Sequence, residues 1–455
     1  MTAPVAPHAE RLDVTTPSPA AEIGAKTHDV RAPRCIEPGY PLLQNTMCSL
    51  AARGAMLIGR GIGIVLISRN LQSHEFGAYA LLLATYSILL SAGAIGLEQT
   101  NLYLAGRRKG RTPTLIGNSL VIGLVSGLAC ALLCVLATEM LRERIFTDVS
   151  LAAVLVTACA LPIGIAHIGL TGVILGNGHF RYYAVLEAGK WTLYVAIVVT
   201  LAMRELINVN TALASYFVLL LAAVCVNVVV LTKWHGRIRV ARWRVLRRII
   251  ALGRSMLTVQ VTNVLGLRLD VYAVRFFGSM GMVGTYALAA QLTEILMHVA
   301  RSLTLVVFSG TARGRDHEHL RVGMLMRWIL IAALGFGIVL AVCREDFLRA
   351  VFGETALGSG PILALRLPGA LVSALTLLFT GEFLGRGRPD LVVRGNAIGI
   401  GVLVLGSVLT VTWNTMFGAA VAFTLAAVCE VLWVSWRLRR ERRQRPLQPQ
   451  LAASA

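Results

Sequence analysis

The chain is predicted to be an all-α polytopic membrane protein, with about 12 transmembrane helices in two similar six-helix lobes around a central cleft. Three observations predict this. Mean hydropathy is +0.70 and only 15% of the 455 residues are charged, against about 25% in an ordinary soluble domain. Apolar runs of ~20 residues, the length a helix needs to cross the bilayer core, recur along most of the sequence. Short sequence echoes also return at a nearly constant offset between the two halves.

Residues 1–41 mix charges with Pro and Ala, contain no apolar stretch, and read as a disordered cytoplasmic tail without a cleavable signal pattern. Twelve spans follow at 42–67, 76–98, 114–138, 149–175, 182–203, 208–232, 249–270, 282–308, 322–343, 361–383, 391–413 and 416–436. Pro162 is expected to kink the fourth, because neighbouring helices and water can satisfy the carbonyl it frees. The basic segment 233–248 divides six spans from six, giving lobes over 42–232 and 249–436 and a basic tail over 437–455. In that segment Trp243, Val245, Leu246, Ile249 and Ile250 alternate with arginines. The pattern suits either a short interfacial helix on anionic head groups or a plain topology anchor.

Orientation follows from Lys and Arg in the connections. Tails and loops on one side carry 27 of the 43, the opposite loops carry 7, and the rest fall inside spans. The bias places both termini in the cytoplasm. It also explains the net charge of +20 without invoking a nucleic-acid partner. The eight cysteines contain no C-x-x-C and imply no disulfide framework or metal site.

The echoes argue for duplication. Phe76-Gly77-Ala78-Tyr79-Ala80 opens the second span and Val283-Gly284-Thr285-Tyr286-Ala287 opens the eighth, 207 residues on. Gly176-Asn177-Gly178 follows the fourth span and Gly385-Arg386-Gly387 follows the tenth, 209 residues on. Gly77 and Gly284 are expected to set the turns into the second and eighth spans, and glycine suits the tight turns after the fourth and tenth because it takes positive φ without a Cβ clash. Lobes of six spans each keep the same orientation. They would therefore be related by an axis along the membrane normal, with the site between them.

The hairpin Ser68-Arg69-Asn70-Leu71-Gln72-Ser73-His74-Glu75-Phe76-Gly77-Ala78-Tyr79-Ala80 and the later segments 267–278, beginning Leu267-Arg268-Leu269-Asp270-Val271-Tyr272, and 283–289 carry a family resemblance. Together with the order of spans they resemble the multidrug/oligosaccharidyl-lipid/polysaccharide exporter superfamily, and within it the Wzx-type polysaccharide-unit flippases of bacteria. Asn70 separates the family's Arg-Leu pair here, and His74 stands where proline is frequent. The resemblance covers residues 42–437. It implies a multi-pass protein of the bacterial inner membrane that flips undecaprenyl-pyrophosphate-linked oligosaccharide by alternating access, for O-antigen, capsule or exopolysaccharide synthesis. It also implies work alongside a polysaccharide polymerase and chain-length or export proteins.

Ionisable side chains within spans mark interior pathways unless they can snorkel from an end. Position assigns Arg327, Arg366 and Arg394, with Glu98, Glu382 and Glu430, to snorkelling. Arg53 and Arg60 lie deep in the first span, seven residues and nearly two turns apart. Arg254 and Arg268 lie fourteen apart in the seventh, so each lobe brings a two-arginine face. Arg301 adds a cation to the eighth span, and Lys190 lies inside the fifth with Glu187 one turn away, either as a ligand or as an internal ion pair. An arginine-lined cleft calls for an anionic cargo, since guanidinium matches phosphate oxygens two at a time. Arg53, Arg60, Arg254, Arg268, Arg301 and Lys190 are the expected cavity residues. Glu294 and His298, at i and i+4 with Arg301 on one face, read either as an ion-coupling site or as a self-neutralising cluster, and Asp270 and Glu187 join them as coupling candidates. His167 reads as a packing residue.

No P-loop, H-E-x-x-H or G-x-S-x-G pattern occurs, so neither an enzyme nor a cofactor is expected. A cation-coupled drug exporter of the same fold would need to bring lipophilic cations past the arginines. A polysaccharide polymerase or ligase would be expected to carry a long polar loop, and a lipid-linked peptidoglycan precursor flippase two further spans.

Overall fold

The computed structural model describes residues 42–107, 112–239, 242–313, 342–385, 388–410 and 414–444, with 335 and 337–339. The described residues form helices in the order α1 (Leu42–Asn70), α2 (Ser73–Ala94), α3 (Leu97–Arg107), α4 (Thr112–Met140), α5 (Leu151–Gly176), α6 (Phe180–Met203) and α7 (Val209–His235). They continue with α8 (Trp243–Phe277), α9 (Met280–Arg313), α10 (Arg344–Phe352), a 3₁₀ turn (Glu354–Ser359), α11 (Gly360–Gly385), α12 (Pro389–Thr410) and α13 (Thr415–Gln444). Ten are long and apolar enough to cross a membrane: α1, α2, α4 to α8 and α11 to α13. The expected eighth span lies in α9, which is 34 residues long. The expected ninth, 322–343, falls almost wholly outside the described residues, as does the tail 1–41.

Most of these helices are apolar on every side, the pattern of a segment with protein on one face and lipid on the other. In α4, Ile116, Gly123 and Cys134 are buried while Leu124, Val125, Leu128 and Leu132 are exposed along the outer surface. Several expected boundaries shift. The second span stops at Ala94, where Ile95 and Gly96 both take left-handed backbone (φ 47° and 63°) and turn the chain into the separate helix α3. Glu98, expected near the end of the second span, therefore sits in the first turn of α3. α5 runs unbroken through Pro162. The basic segment does not form a separate interfacial helix, because Trp243 to Ile250 are the first turns of α8. α13 continues past 436 to Gln444. The turn after α5 is as expected, with Gly178 at φ 86°, while Arg386 and Gly387 lie outside the described residues.

The repeated glycines 77 and 284 do not shape turns. Both lie inside helices, where α2 and α9 cross backbone to backbone. A Cβ on Gly77 would fall 2.2 Å from the Met280 carbonyl oxygen, and one on Gly284 would fall 1.8 Å from that of Ser73. Ser73 and Met280 are themselves 207 residues apart, so the contact is reciprocal, as a two-fold relation between repeats requires. Around this crossing one apolar cluster draws on both halves of the chain, including Ile67, Phe76, Tyr79 and Leu82 from the first and Val283, Tyr286, Leu288 and Leu363 from the second.

Two arginines reinforce the same end. In the last turn of α1, Arg69 Nη2 donates to the Ala350 carbonyl oxygen at 2.6 Å. In the last turn of α8, Arg275 Nε donates to the Ile145 carbonyl oxygen at 2.7 Å, and its Nη2 to Thr147 Oγ1 at 3.1 Å. The two arginines are 206 residues apart and the two carbonyls 205, so the latches are near copies. At the opposite, basic end the large clusters belong to one half each, save for Val245, Leu246 and Ile249 at the start of α8. There the halves meet where Gln260 donates to Gln99 and where Gly253 abuts the Ile95 carbonyl.

Candidate substrate-binding site

α1 carries Arg60 and α8 carries Arg268, ten and nine residues before their ends in the hairpin region. At about 1.5 Å per residue both lie ~15 Å along the axis from that end, close to the middle of a ~30 Å hydrocarbon layer. Gly59 and Gly63 flank Arg60 and let α1 lie directly on α6: a Cβ on Gly59 would come within 2.8 Å of Trp191 Cβ, and one on Gly63 within 2.4 Å of Tyr194 Cε1. Those rings belong to an aromatic group with Tyr216 and Phe217 that stiffens the support.

Arg60 and Arg268 meet on one carboxylate. Arg268 Nη1 donates to Glu294 Oε1 at 2.5 Å and its Nη2 to Oε2 at 3.1 Å, while its Nε reaches Ser87 Oγ on α2 at 3.3 Å. Arg60 Nη2 donates to the same Oε2 at 3.1 Å, and its Nη1 lies 3.0 Å from His298 Nε2. A guanidinium can only donate, so in this contact Nε2 accepts. Among the described residues the cluster therefore sets two guanidiniums against one carboxylate. The arginine side chains are 29% and 17% exposed and the carboxylate 6%, so the cations line the accessible side. Arg60 and Arg268 stand 208 residues apart, within the offsets of the echoes, so these two arginines occupy matching positions in the two halves.

The other expected residues divide. Arg53 is half-buried and Arg254 exposed, nearly two turns from Arg60 and almost four turns from Arg268 respectively. Arg301 lies in α9, but its side chain is outside the described residues. Lys190 is not brought to the cluster. Its Nζ donates to Glu187 Oε1 at 2.7 Å inside the first half, with Trp191 Nε1 on the other carboxylate oxygen and His167 Nε2 3.6 Å from Oε1. The internal ion pair is thus the arrangement observed for Glu187 and Lys190. Glu430, assigned to snorkelling, instead lies halfway along α13 and lines a 60 Å³ cavity with Asn263, Thr376, Thr380 and Asn396.

Arg366 corrects the sequence reading most sharply. It does not snorkel: Arg366 and Asp270 are both 0% exposed and form an ion pair, joined by Tyr286 Oη, which donates to Asp270 Oδ2 at 2.8 Å. Arg366 Nε donates to Thr293 Oγ1 at 3.1 Å, and its guanidinium lies 3.8 Å from the centre of the Phe423 ring. α10 and the 3₁₀ turn precede Gly360, so the helix start is not a free edge from which a side chain could reach water. Asp270 is therefore committed to Arg366 rather than to its near neighbour Arg268. One signal could have pointed there: Tyr286 of the repeated motif is a buried hydroxyl in need of partners.

Among the described residues the chain is a helical bundle with spans long and apolar enough to cross a membrane and charged groups drawn together at mid-depth between its halves. Two solved transporters share this fold. An inward-facing multidrug resistance MATE family transporter of the MOP superfamily superposes with a TM-score of 0.70 at 14% identity, covering 88% of this chain and 100% of that one. The lipid II flippase MurJ in its inward closed conformation superposes with a TM-score of 0.71 at 12% identity, covering 87% of each chain. The family model "Polysaccharide biosynthesis protein" matches residues 66–359, and the chain belongs to that family. The Teichuronic acid biosynthesis protein TuaB of Bacillus subtilis (strain 168) is 29% identical over 200 residues, which is 40% of either chain. The chain thus aligns with two fifths of the length of that relative.

Proposed function

We propose that the chain flips a lipid-linked oligosaccharide carried on undecaprenyl pyrophosphate across the bacterial inner membrane by alternating access. The observation that carries this reading is the convergence of Arg60 and Arg268 from two different helices at mid-depth. A diphosphate can occupy such a fork with both guanidiniums at once, while the sugars lie in the wet cleft and the isoprenoid stays in lipid. Teichuronic acid biosynthesis by the relative TuaB and lipid II flipping by the fold neighbour MurJ support an envelope glycan as the cargo. In this reading the lobes are 42–232 and 249–436, joined by the basic linker 233–248. The tails 1–41 and 437–455 are cytoplasmic, following the Lys and Arg bias. The sealed hairpin end then faces outward and the cleft loads from the cytoplasm. A drug exporter is disfavoured because two guanidiniums against one carboxylate repel a lipophilic cation.

The test is a deletion strain complemented with wild type, Arg60→Ala or Arg268→Ala. Each variant at normal protein level is expected to lower surface glycan at least about tenfold, the loss of one charge-assisted contact, with lipid-linked repeat units trapped on the cytoplasmic leaflet. Full glycan with only reduced drug tolerance would reverse the assignment in favour of the exporter.

Alternating access also makes the two arginine latches a restraint on the outward-open state. At about 1 kcal/mol each, removing both with Arg69→Ala and Arg275→Ala is expected to shift the population roughly 30-fold towards opening at the hairpin end. Spin labels at Glu143 and Glu354, exposed on the two halves there, should show a longer distance in the double variant. An unchanged distance distribution would mean that the latches do not hold that end shut.

A further inference from the structure

Glu294 fills the place a cargo phosphate would take. Arg268 holds both carboxylate oxygens in the two-pronged way it would hold a phosphate, and Arg60 shares one of them from the other half of the chain. Resting on the cargo reading above, the geometry points to Glu294 as an internal placeholder: the diphosphate enters by displacing this carboxylate from Arg60 and Arg268.

Three features carry the argument. The carboxylate lies beneath the guanidiniums, which are the accessible part of the cluster, so an incoming anion meets the arginines first. A carboxylate offers one negative charge to two cations, whereas a pyrophosphate diester offers two charges and more acceptor oxygens, so the exchange favours the cargo. The Arg60–Glu294 bond ties α1 to α9 across the halves, while Arg268–Glu294 lies between the adjacent helices α8 and α9. Displacement therefore trades a protein bond between the halves for one made through cargo. The swap gives the occupied and empty transporter different inter-half bonds, the differential contact that a ligand-driven conformational shift requires. After release, Glu294 returns to the arginines and competes against rebinding. His298, one turn along α9, steadies Arg60 through the exchange by holding its other nitrogen.

The placeholder makes a prediction that a merely structural ion cluster does not: removing the carboxylate should tighten anion binding and slow turnover together. The probe is geranylgeranyl pyrophosphate, titrated against the purified full chain in nanodiscs, with geranylgeraniol as the uncharged control. Glu294→Gln is expected to bind the pyrophosphate about tenfold more tightly than wild type and to export glycan more slowly in cells. Glu294→Asp keeps the charge on a stem one methylene shorter, and serves if the glutamine variant does not fold; it is expected to bind a few-fold more tightly. Equal or weaker binding by folded Glu294 variants, with wild type still binding the probe, overturns the placeholder and leaves the cargo reading standing. Failure of wild type and variants alike to bind the pyrophosphate above the alcohol overturns both.

Discussion

Gly284→Ala is expected to be among the most damaging single-methyl additions in the protein. The new Cβ would stand 1.8 Å from the Ser73 carbonyl oxygen and 3.1 Å from the Gly77 nitrogen. These are backbone atoms of a buried helix, so no side chain can swing away. α2 and α9 must separate by more than 1 Å, and the gap propagates into the shared cluster of Phe76, Tyr79, Val283 and Tyr286. Overpacking ordinarily costs about 1–3 kcal/mol, and a backbone-to-backbone contact belongs at or above the top of that range. Gly77→Ala should act the same way, with its Cβ 2.2 Å from the Met280 oxygen. The double variant should cost clearly less than the sum, because one separation relieves both clashes. Gly54 is the control: it is also helical, but a Cβ there meets nothing within 4 Å. Gly54→Ala should be neutral or stabilise by up to about 1 kcal/mol through helix propensity. Thermal unfolding of the detergent-purified variants reads all four. Additive losses at 77 and 284 would show that the two glycines do not share one contact.

The glycine pair also marks what the sequence could and could not reveal. The fold class was legible because a bilayer imposes a length and a composition on every span, and ten described helices meet both. The echo at 207 residues was legible as well, yet its purpose was not. Gly77 and Gly284 read as turn formers, since a glycine near a helix start usually is one, and only the crossing shows that the missing Cβ matters. Within the site, Glu294 and His298 could be placed on one face by their spacing, and Arg60 and Arg268 by their depth. Spacing does not fix the rotation of one apolar helix against another. Most spans are apolar all round, so the sequence offered five arginines as cavity residues where the structure brings Arg60 and Arg268 together on one carboxylate. Arg366 was misread for the related reason that its partner lies 96 residues away. Distance from an expected helix end measures depth along the helix, but it does not show whether α10 and the 3₁₀ turn cover that end.

Arg366→Gln is expected to cost about 3–5 kcal/mol, the range for removing one partner of a buried ion pair, because it strands Asp270 at 0% exposure. Asp270→Asn should cost a similar amount by leaving a buried guanidinium without its counter-charge. The double variant Asp270→Asn with Arg366→Gln removes both charges and keeps amide donors and acceptors within reach of Tyr286 and Thr293. It should recover most of the loss, so the thermal-unfolding cycle should show a coupling of a few kcal/mol. Single variants within about 1 kcal/mol of wild type would mean that the pair is solvated rather than buried. The consequence reaches the proposed anion site. The network binds α8, α9 and α11 together: Asp270 is two residues from Arg268 on α8, and Thr293 is next to Glu294 on α9. Loosening it should blur the distance between Arg268 and Glu294 without touching either. Both single variants should therefore bind the pyrophosphate probe more weakly even at temperatures where they remain folded, and the double variant should bind it nearly as wild type does.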